Sequence, residues 1–302
     1  MSELATGQNR LSDGQRGFIF AFSAYFLWGA LPLYLKAVAH IPAGEVLAHR
    51  IIWSIPIAAL ILLWLGRISD LKAAFGNPRT LLMATVTAAL ISANWGVYIW
   101  AIAAGHAIQA ALGYYINPLV NVVLGALFLG ERLTRAQMVA VGIATAAVVL
   151  LTIATGGLPW ISLALALSFG FYGFLRKTLP IGPSQGFMLE VLILAPPSLA
   201  YIVWTAVQGN SHFWGGSASD VGLLLFAGPA TAIPLILFAN GAKLLRFTTI
   251  GLMQYMAPTI VFLIAIFLFG EPFSHVQLVA FIMIWTALAI YTLSMFRGSD
   301  KK

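Results

Sequence analysis

Ten apolar runs, each interrupted by charges, glycine or proline, divide the chain at 17–39, 46–65, 79–103, 108–129, 136–154, 158–175, 186–207, 220–241, 248–269 and 276–296. A helix needs about 20 residues to cross a hydrocarbon core ~30 Å thick, and most of these runs meet that length. Only helices and closed barrels satisfy every backbone group in lipid, and runs this long are helices. Six of the 14 prolines (Pro42, Pro78, Pro159, Pro180, Pro183 and Pro272) fall at or near the connecting loops, where they end helices cheaply. The other eight lie inside runs, and each frees a carbonyl for a kink or a ligand. The first run exceeds the h-region of a secretory leader and lacks a small-x-small cleavage site, so it is expected to stay attached.

Composition removes the soluble alternative. Only 8% of the 302 residues are charged and 61% are hydrophobic, whereas a soluble domain carries about 25% charge. One core cannot hide so much apolar surface. The net charge of +7 would suggest nucleic acid in a soluble protein; here the positive-inside bias explains it. With the N-terminus in the cytoplasm, 14 of the 16 Lys and Arg residues fall on that side, and all five His lie at or near the other. The expected location is a bacterial-type inner membrane, multi-pass, with cytoplasmic tails at 1–16 and 297–302. Without cysteine there are no disulfides, thiolate metal sites or catalytic thiols.

An internal repeat adds a second constraint. Shifting the chain by 140 residues lays 111–150 over 251–290 with nine identities, among them Pro118/Pro258, Gly130-Glu131/Gly270-Glu271 and Gln137/Gln277. A shift of 141 lays Gly29 over Gly170 and Lys36 over Lys177. Each unit holds five spans, an odd number, so the second is inverted. The expected fold is therefore all-α and polytopic, with ten transmembrane helices in two inverted five-helix repeats, 17–154 and 158–296. Such repeats point to a transporter with its site near the midplane.

Several runs resemble a known family. Trp28-Gly29-x-x-Pro32-x-x-x-Lys36, and Pro118 followed by Gly130-Glu131-Arg132-Leu133 and Gln137, are similar to the repeats of EamA-type transporters of the drug/metabolite transporter superfamily. Three longer runs, 24–29 (AYFLWG), 49–54 (HRIIWS) and 112–121 (LGYYINPLVN), resemble RarD-type proteins, which carry a label tied to chloramphenicol sensitivity. The resemblance covers roughly 17–296 and implies a ten-helix transporter without naming its substrate. The second half departs from the motif at Pro272 and at Ala257, which stands opposite Asn117. Any site built from both halves should therefore be asymmetric.

Polar groups inside the runs are the candidate site. Lys36 and Arg50 lie toward the outer end of helices 1 and 2. They form either a vestibule attracting a carboxylate or phosphate, or snorkelling cations with Glu45 neutralising Arg50. Glu190 is the only acid in the interior of a run, Asp220 standing at the first position of another; it could carry a coupling proton, pair with a cytoplasmic Lys or Arg, or meet a cationic substrate. Gln109, Gly113, Asn117, Asn121 and Gly125 share one face of helix 4, which lines a polar cavity or forms a tight helix contact with amides bonded across it. Tyr25 and Trp28 on helix 1, Asn94 and Tyr98 on helix 3, Tyr114 on helix 4, and Gln254 and Tyr255 on helix 9 complete the expected binding set. Aromatics with a few fixed polar groups suit a small amphipathic ligand. Pro118 and Pro258 are candidate hinges. The two Gly-Glu turns are expected to cap helix ends, each Glu favouring the helix that follows it.

No P-loop, HExxH motif, nucleophile elbow or paired carboxylates occur. The expectation is a secondary transporter rather than an enzyme, exporting or exchanging a small amphipathic metabolite or drug by alternating access. Helices 1, 3, 4, 6, 8 and 9 would line the path, with 5 and 10 peripheral. No cofactor, metal or nucleic acid is implied; the expected partners are the substrate and the bilayer, with the chain a monomer or homodimer. Uptake or facilitated diffusion, a membrane sensor and a transmembrane enzyme remain alternatives.

Overall fold

The computed structural model describes residues 12–66, 71, 74–130, 133–245 and 253–299. Ten α-helices run through them: α1 Asp13–Ala37, α2 Ala43–Leu65, α3 Pro78–Ala103, α4 Ala107–Leu129, α5 Arg135–Thr155, α6 Trp160–Thr178, α7 Pro183–Val207, α8 Ala218–Leu244, α9 Met256–Phe267 and α10 His275–Ser299. Eight are long and apolar enough to cross a membrane, while α6 and α9 are shorter apolar helices. The ninth run, expected from residue 248, enters its described helix only at Met256. Glu131, Arg132, Lys72 and Arg246 lie outside the described residues.

Local chemistry sets the helix ends. Ser12 with Gln15, Thr134 with Gln137 and Ser217 with Asp220 form capping boxes. Ser274 does the same with Gln277, each side chain meeting the other's backbone N–H at 2.8 and 3.2 Å. The repeated glutamines Gln137 and Gln277 are thus the return arms of matching caps. Gly130 caps α4 with φ 66°, and Gly270, three residues past α9, turns the chain with φ 64°, the left-handed geometry glycine adopts without a Cβ penalty. Glu271 does not serve the helix that follows it. α10 already has Ser274, and the Glu271 carboxylate instead accepts from Ala107 N (2.7 Å) and Ile108 N (2.9 Å) at the start of α4. A carboxylate there satisfies two orphan donors and complements the helix dipole.

The halves interleave. α1 packs chiefly on α8, α2 on α7 and α8, α4 on α6, and α5 on α10. Exchanging each helix with the one five places on maps these contacts onto one another: α1–α8 becomes α6–α3, α4–α6 becomes α9–α1, and α2–α7 and α5–α10 map onto themselves. Atomic contacts obey the same rule. Gly29 of α1 lies against Ile260 of α9, and Gly170 of α6 lies against Val120 of α4. Gly170 and Ile260 are the shifted counterparts of Gly29 and Val120. The repeat found along the sequence is therefore a two-fold in space.

Apolar side chains also cover the outside. Phe18, Phe22 and Phe26 stack along one exposed face of α1 with centroids 6.0 and 6.3 Å apart, and Trp64, Leu127, Ile153 and Val207 are exposed on other helices. In water this surface would drive aggregation; in lipid it is the solvated face.

Candidate functional site

Arg50 is buried, 6% exposed, in the second turn of α2. Its Nε donates to Thr231 Oγ1 of α8 at 2.7 Å, and its guanidinium carbon lies 4.5 Å from the ring centroid of Trp95 on α3. The ionisable groups around it are Tyr34, Tyr98 and Tyr114; none of these is a carboxylate. Glu45, the neutraliser considered from sequence, is spent elsewhere. Fully buried, it accepts from Ser211 Oγ (3.1 Å), His212 N (2.8 Å) and Phe213 N (3.4 Å), and its second oxygen meets His212 Nδ1 at 2.8 Å. Glu45 thus ties the α7–α8 loop to the start of α2, and Arg50 enters no ion pair among the described residues.

An amide and aromatic seam runs beside this cation. Asn94 of α3 donates to Leu165 O (3.1 Å) and Ser168 Oγ (3.0 Å) of α6 and accepts from Tyr114 of α4 (3.0 Å). Tyr114 meets Tyr98 edge-on at 5.5 Å. Asn94, Tyr98, Tyr114 and Arg50 are therefore gathered from three helices, as the sequence could only suggest. The helix 4 stripe resolves into a helix contact over most of its length. Gly113 lies against Ser162 and Leu165, Asn117 donates to Ala166 O at 3.1 Å, and Ser162 donates to Gln109 O at 2.7 Å, all on α6. Asn121, one turn further, is exposed and bonded back to Asn117.

The remaining candidates lie apart. Lys36 is exposed in the last turn of α1, 5.4 Å over Phe269. Tyr25 and Trp28 pack with Phe238 of α8, centroids 5.5–5.8 Å apart, in a small cluster with Met253. Tyr255 precedes α9 and reaches Thr292 of α10, with Gln254 beside it. Glu190 of α7 is buried and paired with Arg176 of α6 at 3.6 Å, with Tyr172 donating to it at 3.2 Å. Position 190 is the 140-shifted counterpart of position 50; among the described residues the anion at 190 has a counter-ion and the cation at 50 has none. Pro118 and Pro258 are not equivalent: Pro118 interrupts α4, whereas Pro258 stands in the first described turn of α9, where a missing N–H costs nothing. Thr231 and Tyr34, which donates to Leu223 O of α8 at 2.9 Å, were not singled out from sequence. Thr231 falls between Pro229 and Pro234 in α8, and that proline pair is the signal in the sequence that marks its position.

Ten helices, a two-fold between inverted halves and a buried cation at their junction define a polytopic membrane transporter architecture. Comparison with known proteins agrees. Residues 15–153 match the EamA-like transporter family. The chain is 40% identical over 290 residues to Protein RarD of Streptomyces exfoliatus (96% of this chain, 92% of that one). It is 41% identical over 294 residues to the uncharacterized transporter YojE of Bacillus subtilis (95% and 96%). It is 32% identical over 280 residues to the chloramphenicol-sensitive protein RarD of Pseudomonas aeruginosa (91% and 93%). A solved crystal structure shares the fold with TM-score 0.59 at 19% identity, covering 93% of this chain and 98% of that chain. The chain belongs to the EamA-like transporter family and is RarD-like within it: it is a multi-pass membrane transporter.

Proposed function

We propose that this protein is an inner-membrane secondary transporter that exports or exchanges a small amphipathic metabolite or drug by alternating access. The observation that carries the reading is the repeated contact, Gly29 on Ile260 and Gly170 on Val120, made between interleaved halves at counterpart positions. Halves that meet through the same contacts inverted have two related ways to open, one toward each face of the membrane. Both termini would face the cytoplasm, where the basic residues concentrate. The Asn94–Tyr98–Tyr114 cluster supports a substrate with an apolar body and a few polar groups.

Flux into sealed proteoliposomes tests the reading, with labelled chloramphenicol, tryptophan and phenylacetate as solutes. Chloramphenicol is included because the Pseudomonas aeruginosa relative is named for sensitivity to it. Counterflow or net flux of any of the three above protein-free vesicles is expected, and its sign relative to an imposed gradient gives the direction. No flux of any solute, or chemical conversion of a solute without compartments, counts against a transporter role. Loss of flux in Tyr98→Ala but none in Trp28→Ala would restrict the site to the Arg50 side.

A further inference from the structure

We propose that Arg50 is the receptor for the charged end of the substrate, and that this substrate is a small monocarboxylate with an aromatic or otherwise apolar body. The proposal rests on the transporter reading and adds the substrate class.

A guanidinium withdrawn from water requires an opposite charge or a full set of acceptors. Arg50 is 94% buried and finds neither among the described residues. Nε bonds to Thr231 Oγ1, Trp95 covers one face of the group, and the buried Nη1 has no hydrogen-bond partner. The three neighbouring tyrosines are neutral near pH 7, because a phenol ionises near pH 10. They bring aromatic surface without charge.

The contrast with Glu190 sharpens the point. The counterpart position in the inverted repeat also holds a buried charge, and there the fold supplies Arg176 and Tyr172 as partners. Among the described residues, the fold neutralises one such group and leaves the other without a counter-ion. Intramembrane charges without partners mark ligand paths.

The charge of Arg50 and the side chains around it select the ligand. One cation balances one negative charge, and a planar guanidinium presents parallel N–H groups that match a carboxylate. A phosphate dianion would need a second cation; Lys36, the other cation toward this end, is exposed against Phe269. Trp95, Tyr98 and Tyr114 offer aromatic surface beside the charge, suited to a ring or other apolar body.

The test uses the full chain in nanodiscs, with phenylacetate compared against phenylacetamide and phenethylammonium, and melting temperature and equilibrium binding as readouts. Phenylacetate should stabilise the wild type and bind on the order of tenfold tighter than the neutral amide. Arg50→Met should erase that preference, so that phenylacetate binds no tighter than the amide; Arg50→Lys should keep the sign of the preference and weaken it. A ligand-free measurement stands beside these. If Arg50 serves a ligand rather than the fold, Arg50→Met removes an unbalanced buried charge, so the ligand-free variant should melt no lower than the wild type. The proposal is overturned if phenylacetate fails to stabilise the wild type at millimolar concentration, if the amide binds equally well, or if ligand-free Arg50→Met melts well below the wild type. Flux of chloramphenicol without carboxylate preference would leave the transporter reading standing and this one refuted.

Discussion

A methyl group added at Gly29 would stand 2.6 Å from Ile260 Cβ, 2.9 Å from its Cδ1 and 3.0 Å from its Cγ2. Carbon atoms in contact prefer about 3.5–4.0 Å, so the Gly29→Ala variant needs a shift of about 1 Å. Ile260 Cβ is bonded to the backbone and cannot rotate away; α1 and α9 themselves must part. At Gly170 the nearest atom is Val120 Cγ1, at 2.7 Å, and the next contacts are ordinary at 3.5 and 3.6 Å. There a side-chain methyl must move, which is easier although a β-branched χ1 is stiff in a helix. Over-packing costs about 1–3 kcal/mol, and replacing an interior helical glycine by alanine returns about 1 kcal/mol. Net losses of about 2 kcal/mol for Gly29→Ala and about 1 kcal/mol or less for Gly170→Ala are expected. Reversible unfolding in detergent gives both values, and two double variants give the cause. Val120→Ala removes the clashing methyl and should rescue Gly170→Ala. Ile260→Ala keeps its own Cβ in place and should rescue Gly29→Ala only in part. The reasoning fails if Gly170→Ala is the more damaging, or if Ile260→Ala removes the whole penalty at Gly29.

Three further outcomes follow from the hydrogen-bonded carboxylates. Glu45→Gln should cost about 2 kcal/mol, because bonds to an ionised acceptor are the stronger kind; faster amide exchange at Ser211–Trp214 should accompany it, and unchanged protection there would contradict the tether. Glu271→Gln keeps an acceptor at the start of α4 but loses the charge, so a smaller loss of about 0.5–1 kcal/mol is expected; a loss as large as that of Glu45→Gln would show that more than a cap is involved. Glu190→Gln leaves Arg176 without its counter-ion and should cost about 3 kcal/mol, with the Glu190→Gln/Arg176→Met double variant recovering part of it. Equal damage in the single and double variants would mean the pair is not coupled.

What could be read in advance divides along physical lines. Helix number and order followed from run length, because lipid leaves an apolar segment of that size one way to satisfy its backbone. Gly130 was legible as the cap of α4 and Gly270 as a turn just past α9, because left-handed φ is a local matter. The partner of a charge was not. Glu45 sits five residues before Arg50 and was its neutraliser in one of two readings, yet the chain brings Ser211 and His212 to it from 166 and 167 residues away. Glu271 seemed assigned to α10 by adjacency and instead caps α4 of the other half. The stripe on helix 4 had to face something other than lipid; periodicity names the face but not its occupant, which is α6.

By itself, then, the sequence determined a ten-helix membrane protein, its inverted repeat and the polar positions that lipid would not tolerate, since each follows from solvent, helix period or residue identity along the chain. The tertiary structure decided that the halves interleave rather than stand side by side, that Glu190 has a counter-ion, and that Arg50 lies under Trp95 with none among the described residues. Those outcomes depend on which helices meet, and a pattern along one helix carries no information about the charge its neighbour presents.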